Sequence, residues 1–100
     1  MSILQKYKKQ PVDRLDYDFD YSQWLAADDE IISAVTKIEN LNPTASETPV
    51  EIDSTVTLPR FVKIWLSGGA AGDFFKVSCT ITTVRDRVKQ DEIKIKVIEY

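Results

Sequence analysis

The 100-residue chain contains no histidine, one cysteine, three glycines and no long apolar run, and each shortage excludes a class of protein. Without histidine, neither a Ser–His nor a Cys–His pair can be built within the chain. The side chain that most often moves protons near neutral pH is also missing. The lone Cys79 closes no internal disulfide and, with no histidine beside it, leaves no zinc ligand set. It points to assembly in a reducing compartment. The longest uncharged stretch, Ile64–Gly72, is broken by Ser67 and the glycines and is too short to cross a bilayer, so no membrane contact is expected. The basic start carries Lys6, Lys8 and Lys9 but no apolar stretch of signal-peptide length follows it, so a cleaved secretion signal is not expected. One hundred residues make one core of two packed layers, without a deep walled cleft. The expectation is a protein that is not an enzyme, with no catalytic residue, cofactor or metal.

What is present is enough to fold: 43% of residues are hydrophobic and 29% charged, which excludes a disordered tail. The charges are segregated. Residues 11–59 hold eleven acidic and two basic side chains, whereas residues 60–100 hold eight basic and five acidic ones. Local neutralisation within one fold accounts for this; the functional alternative is that opposite-sign edges meet between neighbouring subunits.

Periodicity points to strands. In LDYDFDYS, Leu15, Tyr17, Phe19 and Tyr21 alternate with Asp16, Asp18, Asp20 and Ser22, the two-residue repeat of a half-buried strand. Glu30–Glu39 places Ile32, Ala34, Thr36 and Ile38 on one side, and its β-branched content favours strand over helix. Residues 40–59 hold three of the four prolines and read as loop with weak strands at Val50–Ile52 and Thr55–Leu58. Phe61–Leu66 alternates again, and Ser67–Asp73 gathers every glycine, Gly68, Gly69 and Gly72, into one reversal. Phe75, Val77, Cys79, Ile81 and Thr83 then give the longest strand pattern; Val84–Gln90 reads as a charged turn and Ile93–Val97 as a last strand. About seven short strands without a long helix predict an all-β fold, an antiparallel immunoglobulin-like β-sandwich, with a small barrel as the alternative. Residues 1–14 read as an N-terminal arm and residues 15–100 as the sandwich domain.

Each motif that invites chemistry has a plainer explanation. Asp16, Asp18 and Asp20 have the opening spacing of a calcium loop, but Tyr21 and Ala27 stand where that loop needs glycine and glutamate. An exposed strand face produces the same spacing, and its like charges discourage edge aggregation. Asp28–Asp29–Glu30 reads as a solvated turn. Cys79 lies on an apolar strand face with no adjacent base and reads as a small core residue. The glycine stretch lacks the lysine and helix of a phosphate loop. Three lysines on a net acidic chain are too weak a footprint for nucleic acid, which is not expected as a partner. Trp24 and Trp65 read equally as core or as interface anchors.

The segments LDYDFDYSQWLAADDEIISA and VKIWLSGGAAGDFFKVSCTITT, with the final IKIKVIE strand, resemble the fiber–tail adaptor family of bacteriophages. That family shows an aspartate–aromatic strand ending in serine and a Trp-Leu pair, then a Leu-Ser-Gly-Gly-x-x-Gly turn leading into a Val-x-x-x-Ile-Thr strand. The match covers Leu15–Ala34 and Val62–Glu99. The chain departs from it in a longer connection at Asn40–Arg60 and in Asp86–Arg87, where a Gly-Arg pair is common. The resemblance implies a virion structural protein of the phage tail, assembled in the host cytoplasm as a homo-oligomer, that joins the tail to receptor-binding fibers through contacts with other tail and fiber proteins. The surfaces expected to make those contacts are Lys6, Lys8 and Lys9, the acidic face of Asp16, Asp18 and Asp20, and the Gly68, Gly69 and Gly72 turn. Two other readings compete: a carbohydrate-binding or adhesion module of the same fold, with Trp24, Trp65 or Tyr100 as sugar platform, and a hydrolase built on two converging carboxylates.

Overall fold

The structure is a computed structural model that describes residues 2–10, 12–41 and 50–98, with side chains from residue 7 onward. Among these residues there are seven strands and no helix. They are β1 (Ser2–Lys9), β2 (Leu15–Asp20), β3 (Ile31–Asn40), β4 (Glu51–Thr57), β5 (Phe61–Ser67), β6 (Phe74–Thr83) and β7 (Val88–Val97). They form a four-stranded sheet in the order β1-β7-β6-β3 and a three-stranded sheet in the order β2-β5-β4.

The alternation of the sequence decides which side of each strand is buried. Tyr17 and Phe19 of β2 and Val62, Ile64 and Leu66 of β5 face inward from one sheet. Phe75, Val77, Cys79 and Ile81 of β6 and Ile93, Ile95 and Val97 of β7 face them from the other, and all belong to one apolar cluster. Each large side chain of this set contributes about 1.5–3 kcal/mol by leaving water. The sheets are also tied at their edges: the Tyr7 ring of β1 meets the Tyr17 ring of β2 edge-on at 4.8 Å. On the opposite side the hydroxyls of Thr36 in β3 and Thr55 in β4 lie 3.0 Å apart.

Three features differ from the sequence reading. The pairing is antiparallel except for β1, which runs parallel to β7. A parallel pair needs a long connection rather than a hairpin, and most of the chain separates these two strands. The Ser2–Lys9 segment, read as a basic arm, is therefore a strand of the larger sheet. In β3 the register shifts between Ile31 and Ser33, so Ile31 is buried while Ile32, expected on the core face, is 61% exposed. A bulge puts one extra residue into the strand and reverses the side on which its neighbour falls. The two weak strands expected around Val50–Leu58 are one strand, β4, likewise bulged between Ile52 and Ser54. The remainder of that connection, residues 42–49, lies outside the described residues.

Candidate functional site

Because Tyr17 and Phe19 point into the core, Asp16, Asp18 and Asp20 must project from the outer face of the three-stranded sheet, and all three are exposed. Lys63 on β5 stands between two of them, its Nζ 2.7 Å from Asp16 and 3.3 Å from Asp18. The hydrogen bond from Lys63 holds the Asp16 carboxyl below its ordinary value and raises the lysine in turn. Asp20 accepts a hydrogen bond from the Ser22 amide at 2.9 Å, which lowers its pKa as well. Across the sheet, β4 adds Glu51 and Asp53 to this face, and Asp53 accepts from Ser67 Oγ and Arg14 Nε at 2.9 and 3.0 Å. Five carboxylates thus share this side with Lys63 and Arg14, and the Arg60 guanidinium, donating to the Ser22 carbonyl at 2.9 Å, adds its charge beside Asp20.

The outer face of the four-stranded sheet has the opposite sign. Lys8 of β1, Lys94 and Lys96 of β7, Lys76 of β6 and Lys37 of β3 project from it. Lys8 stands in register with Lys96, and Lys94 with Lys76. Lys76 is neutralised by Glu39 at 3.0 Å and Glu92 at 3.7 Å, and the Glu39 contact raises its pKa. Among the described residues no carboxylate pairs with Lys8, Lys94 or Lys96. These three lysines, with Tyr7 and Phe74, line a shallow groove of about 200 Å³. Lys6 is in register with Lys94, and its side chain lies outside the described set.

Lys9 behaves differently from its neighbours. Its side chain is 1% exposed, and its ammonium donates to the carbonyls of Gln10 at 2.8 Å and Gly68 at 2.6 Å. Burial lowers its pKa, against the pull of Asp13. The residue therefore anchors the glycine turn from within. That turn needs its glycines: Gly68, Gly69 and Gly72 have φ of 82°, 101° and 95°. At Gly69 a Cβ would also lie 2.8 Å from Val50 Cγ2 and 2.9 Å from Val97 Cγ2. The loop is closed by Asp73, whose Oδ2 accepts from the Ala70 amide, and by the Gly72 amide donating to Val97. Of the expected contact residues, the structure brings Lys9 and Gly68 together. It sets Lys8 and the three aspartates on opposite faces.

The tryptophans are each half-buried and each covered by a cation. The guanidinium of Arg14 lies 4.9 Å from the Trp65 ring, and that of Arg87 lies 4.0 Å from Trp24, with Lys89 at 5.5 Å. Trp24 also packs on the core beside Tyr21. Tyr100 lies outside the described residues. The Asp28–Glu30 turn is a staple rather than a patch: Asp28 pairs with Arg85, and buried Asp29 accepts from the amides of Glu30 and Arg85.

The sequence reading missed a buried acid in the last strand. Asp91 of β7 faces inward opposite Cys79, is fully buried, and has Lys89 Nζ 3.3 Å from one oxygen without hydrogen-bond alignment. Burial, with the Asp91 charge adding to it, pushes the Cys79 thiol up to about 11, so the sulfur is a poor nucleophile. The signal for Asp91 was its two-residue spacing to Ile93, which continues the inward row one step further than its charge suggests. Among the described residues no three His, Cys, Asp or Glu side chains converge as metal ligands.

No curated protein sequence matches the chain. The family model described as podophage GP4 fiber-tail adaptor protein gp77 matches residues 9–96, from the buried Lys9 through both charged faces almost to the end of β7. With that match across nearly the whole of the two-sheet structure, the chain belongs to the podophage fiber-tail adaptor family.

Proposed function

We propose that this protein is a structural component of the phage tail that joins the tail to its receptor-binding fibers through protein–protein contacts, in several copies and without a catalytic step. The observation that carries the reading is the family match over residues 9–96. The geometry supports it by offering broad, oppositely charged sheet faces where an enzyme would offer a walled cleft. We read the fold as an immunoglobulin-like sandwich, supported by the strand order β1-β7-β6-β3 against β2-β5-β4 and by the single parallel pair at one edge. The contact residues in this reading are Lys8, Asp16, Asp18 and Asp20 on the faces, with Lys6 alongside. Lys9, Gly68, Gly69 and Gly72 shape the turn that supports them.

Co-expression with the neighbouring tail and fiber gene products, followed by affinity purification, tests the reading. Recovery of a stoichiometric complex with at least one tail and one fiber protein is expected. Recovery of the chain alone at concentrations where such proteins assemble would overturn it.

A further inference from the structure

We propose that copies of this chain associate front to back, the lysine face of the four-stranded sheet on one copy meeting the acidic face of the three-stranded sheet on the next. The inference rests on the reading that the protein works in several copies, and it names the two surfaces that meet.

The lysine stripe calls for an explanation. Like charges directly opposite on neighbouring strands are destabilising. Here Lys8 faces Lys96 and Lys94 faces Lys76, while Lys8, Lys94 and Lys96 have no counter-charge among the described residues. Lysines on an edge strand protect against edge-to-edge pairing, which accounts for Lys8 on β1. It does not account for Lys94 and Lys96, because β7 is an interior strand with β1 on one side and β6 on the other. A row of ammonium groups on an interior strand, uncompensated among the described residues, is suited to a counter-charge that arrives from outside.

The chain carries that counter-charge itself. Its other broad side holds Asp16, Asp18, Asp20, Glu51 and Asp53 against Lys63, Arg14 and, beside Asp20, Arg60. Asp16, Asp18 and Asp20 repeat every second residue along β2, as Lys94 and Lys96 do along β7. Both rows therefore have the same spacing of about 6.6–6.8 Å and can interdigitate in register. Exposed apolar side chains accompany both rows: Val35 and Val88 on the lysine side, Val56 on the acidic side. The molecule measures 43 × 22 × 18 Å, so its broad sides are of the size of a standard interface, about 800 Å² per partner.

Two different patches meet in such a contact, so every copy retains one unused face for the next. The array closes into a ring if the rotation per step allows and otherwise grows as a filament.

Sedimentation velocity over a range of protein concentrations tests this, at about 0.1 M and about 1 M salt, where the screening length falls from about 10 Å to about 3 Å. Concentration-dependent association at the lower salt, weakened tenfold or more at the higher, is expected. The K94E/K96E variant and the D18K/E51K variant should each remain monomeric alone. Mixed in equal amounts they should associate again, since the intact acidic face of the first then meets the intact lysine face of the second. Circular dichroism melting confirms that both variants are folded. A monomer at every concentration overturns the inference. Association that neither variant weakens overturns the assignment of faces and leaves the multi-copy reading standing, while failure to bind fiber proteins bears on the adaptor reading alone.

Discussion

At the scale of single residues, the positions that matter most are those where the backbone leaves the ordinary regions. Asp86, in the turn between β6 and β7, has φ of 66°, and its amide donates to the Thr83 carbonyl. Aspartate tolerates this left-handed conformation at a cost that glycine does not carry. This is how an aspartate holds a turn position whose backbone favours glycine. Asp86→Gly should therefore leave stability unchanged or raise it by up to about 1 kcal/mol, whereas the β-branched Asp86→Val should lower it, as read from urea midpoints. Gly69 has no such latitude. Its φ of 101° combines with Val50 and Val97 methyls that would stand less than 3.0 Å from any Cβ placed there. Gly69→Ala should cost about 2 kcal/mol or more, lowering the melting temperature by several degrees. The glycines were legible in the sequence because a turn needs them. The buried state of Lys9 was not, since the carbonyls its ammonium reaches include one on the neighbouring residue and one in a loop 59 positions away.

At the scale of elements, strands with strict alternation were legible and those without it were not. The row from Phe75 to Thr83 is buried at every second position as its pattern required, and so is Val62–Leu66. Strand β1 escaped notice because SILQKYKK has no apolar alternation; what places it is backbone pairing with β7. The bulge that turns Ile32 outward was equally hidden, because an inserted residue leaves the composition of the strand unchanged while shifting its phase. Truncation of residues 1–9 should uncover one side of β7 and remove the lysine that holds Gly68. The expected outcome is a lower melting temperature and faster hydrogen exchange in β7 and the glycine turn. Unaltered exchange in both would show that β1 contributes no more than a loose edge.

At the scale of the whole molecule, charge organises what hydrophobicity leaves undecided. The segregation visible along the sequence becomes a segregation between two faces, because β2 and β4 lie in one sheet while β6, β7 and β1 lie in the other. That outcome needed the sheet order, which no linear charge count contains. The same carboxylates set the response to acid. Hydrogen bonds and neighbouring cations depress Asp16 and Asp20; burial pushes Asp29 up, but Thr83, the Arg85 and Glu30 amides and Arg87 bring it below its ordinary value. A carboxyl depressed in the folded state contributes stability above its unfolded pKa of about 3.9, and that contribution is lost as pH falls through the folded value. The melting temperature should therefore hold steady from neutral pH to about 5 and decline below about 4. The decline should be shallower in Asp29→Asn, measured by differential scanning calorimetry.

The parallel seating of β1 on β7 has a consequence for how the chain reaches its native state. Ser2 is in register with Asp91, so β1, synthesised before the other six strands, must wait for the last of them before its backbone amides find partners. Closing so long a loop is slow, and contacts of this separation set folding rates more than they set stability. Until then β7 presents an edge of unpaired backbone N–H and C=O groups, so the interval before β1 docks is the one in which strand-to-strand misassembly is most dangerous.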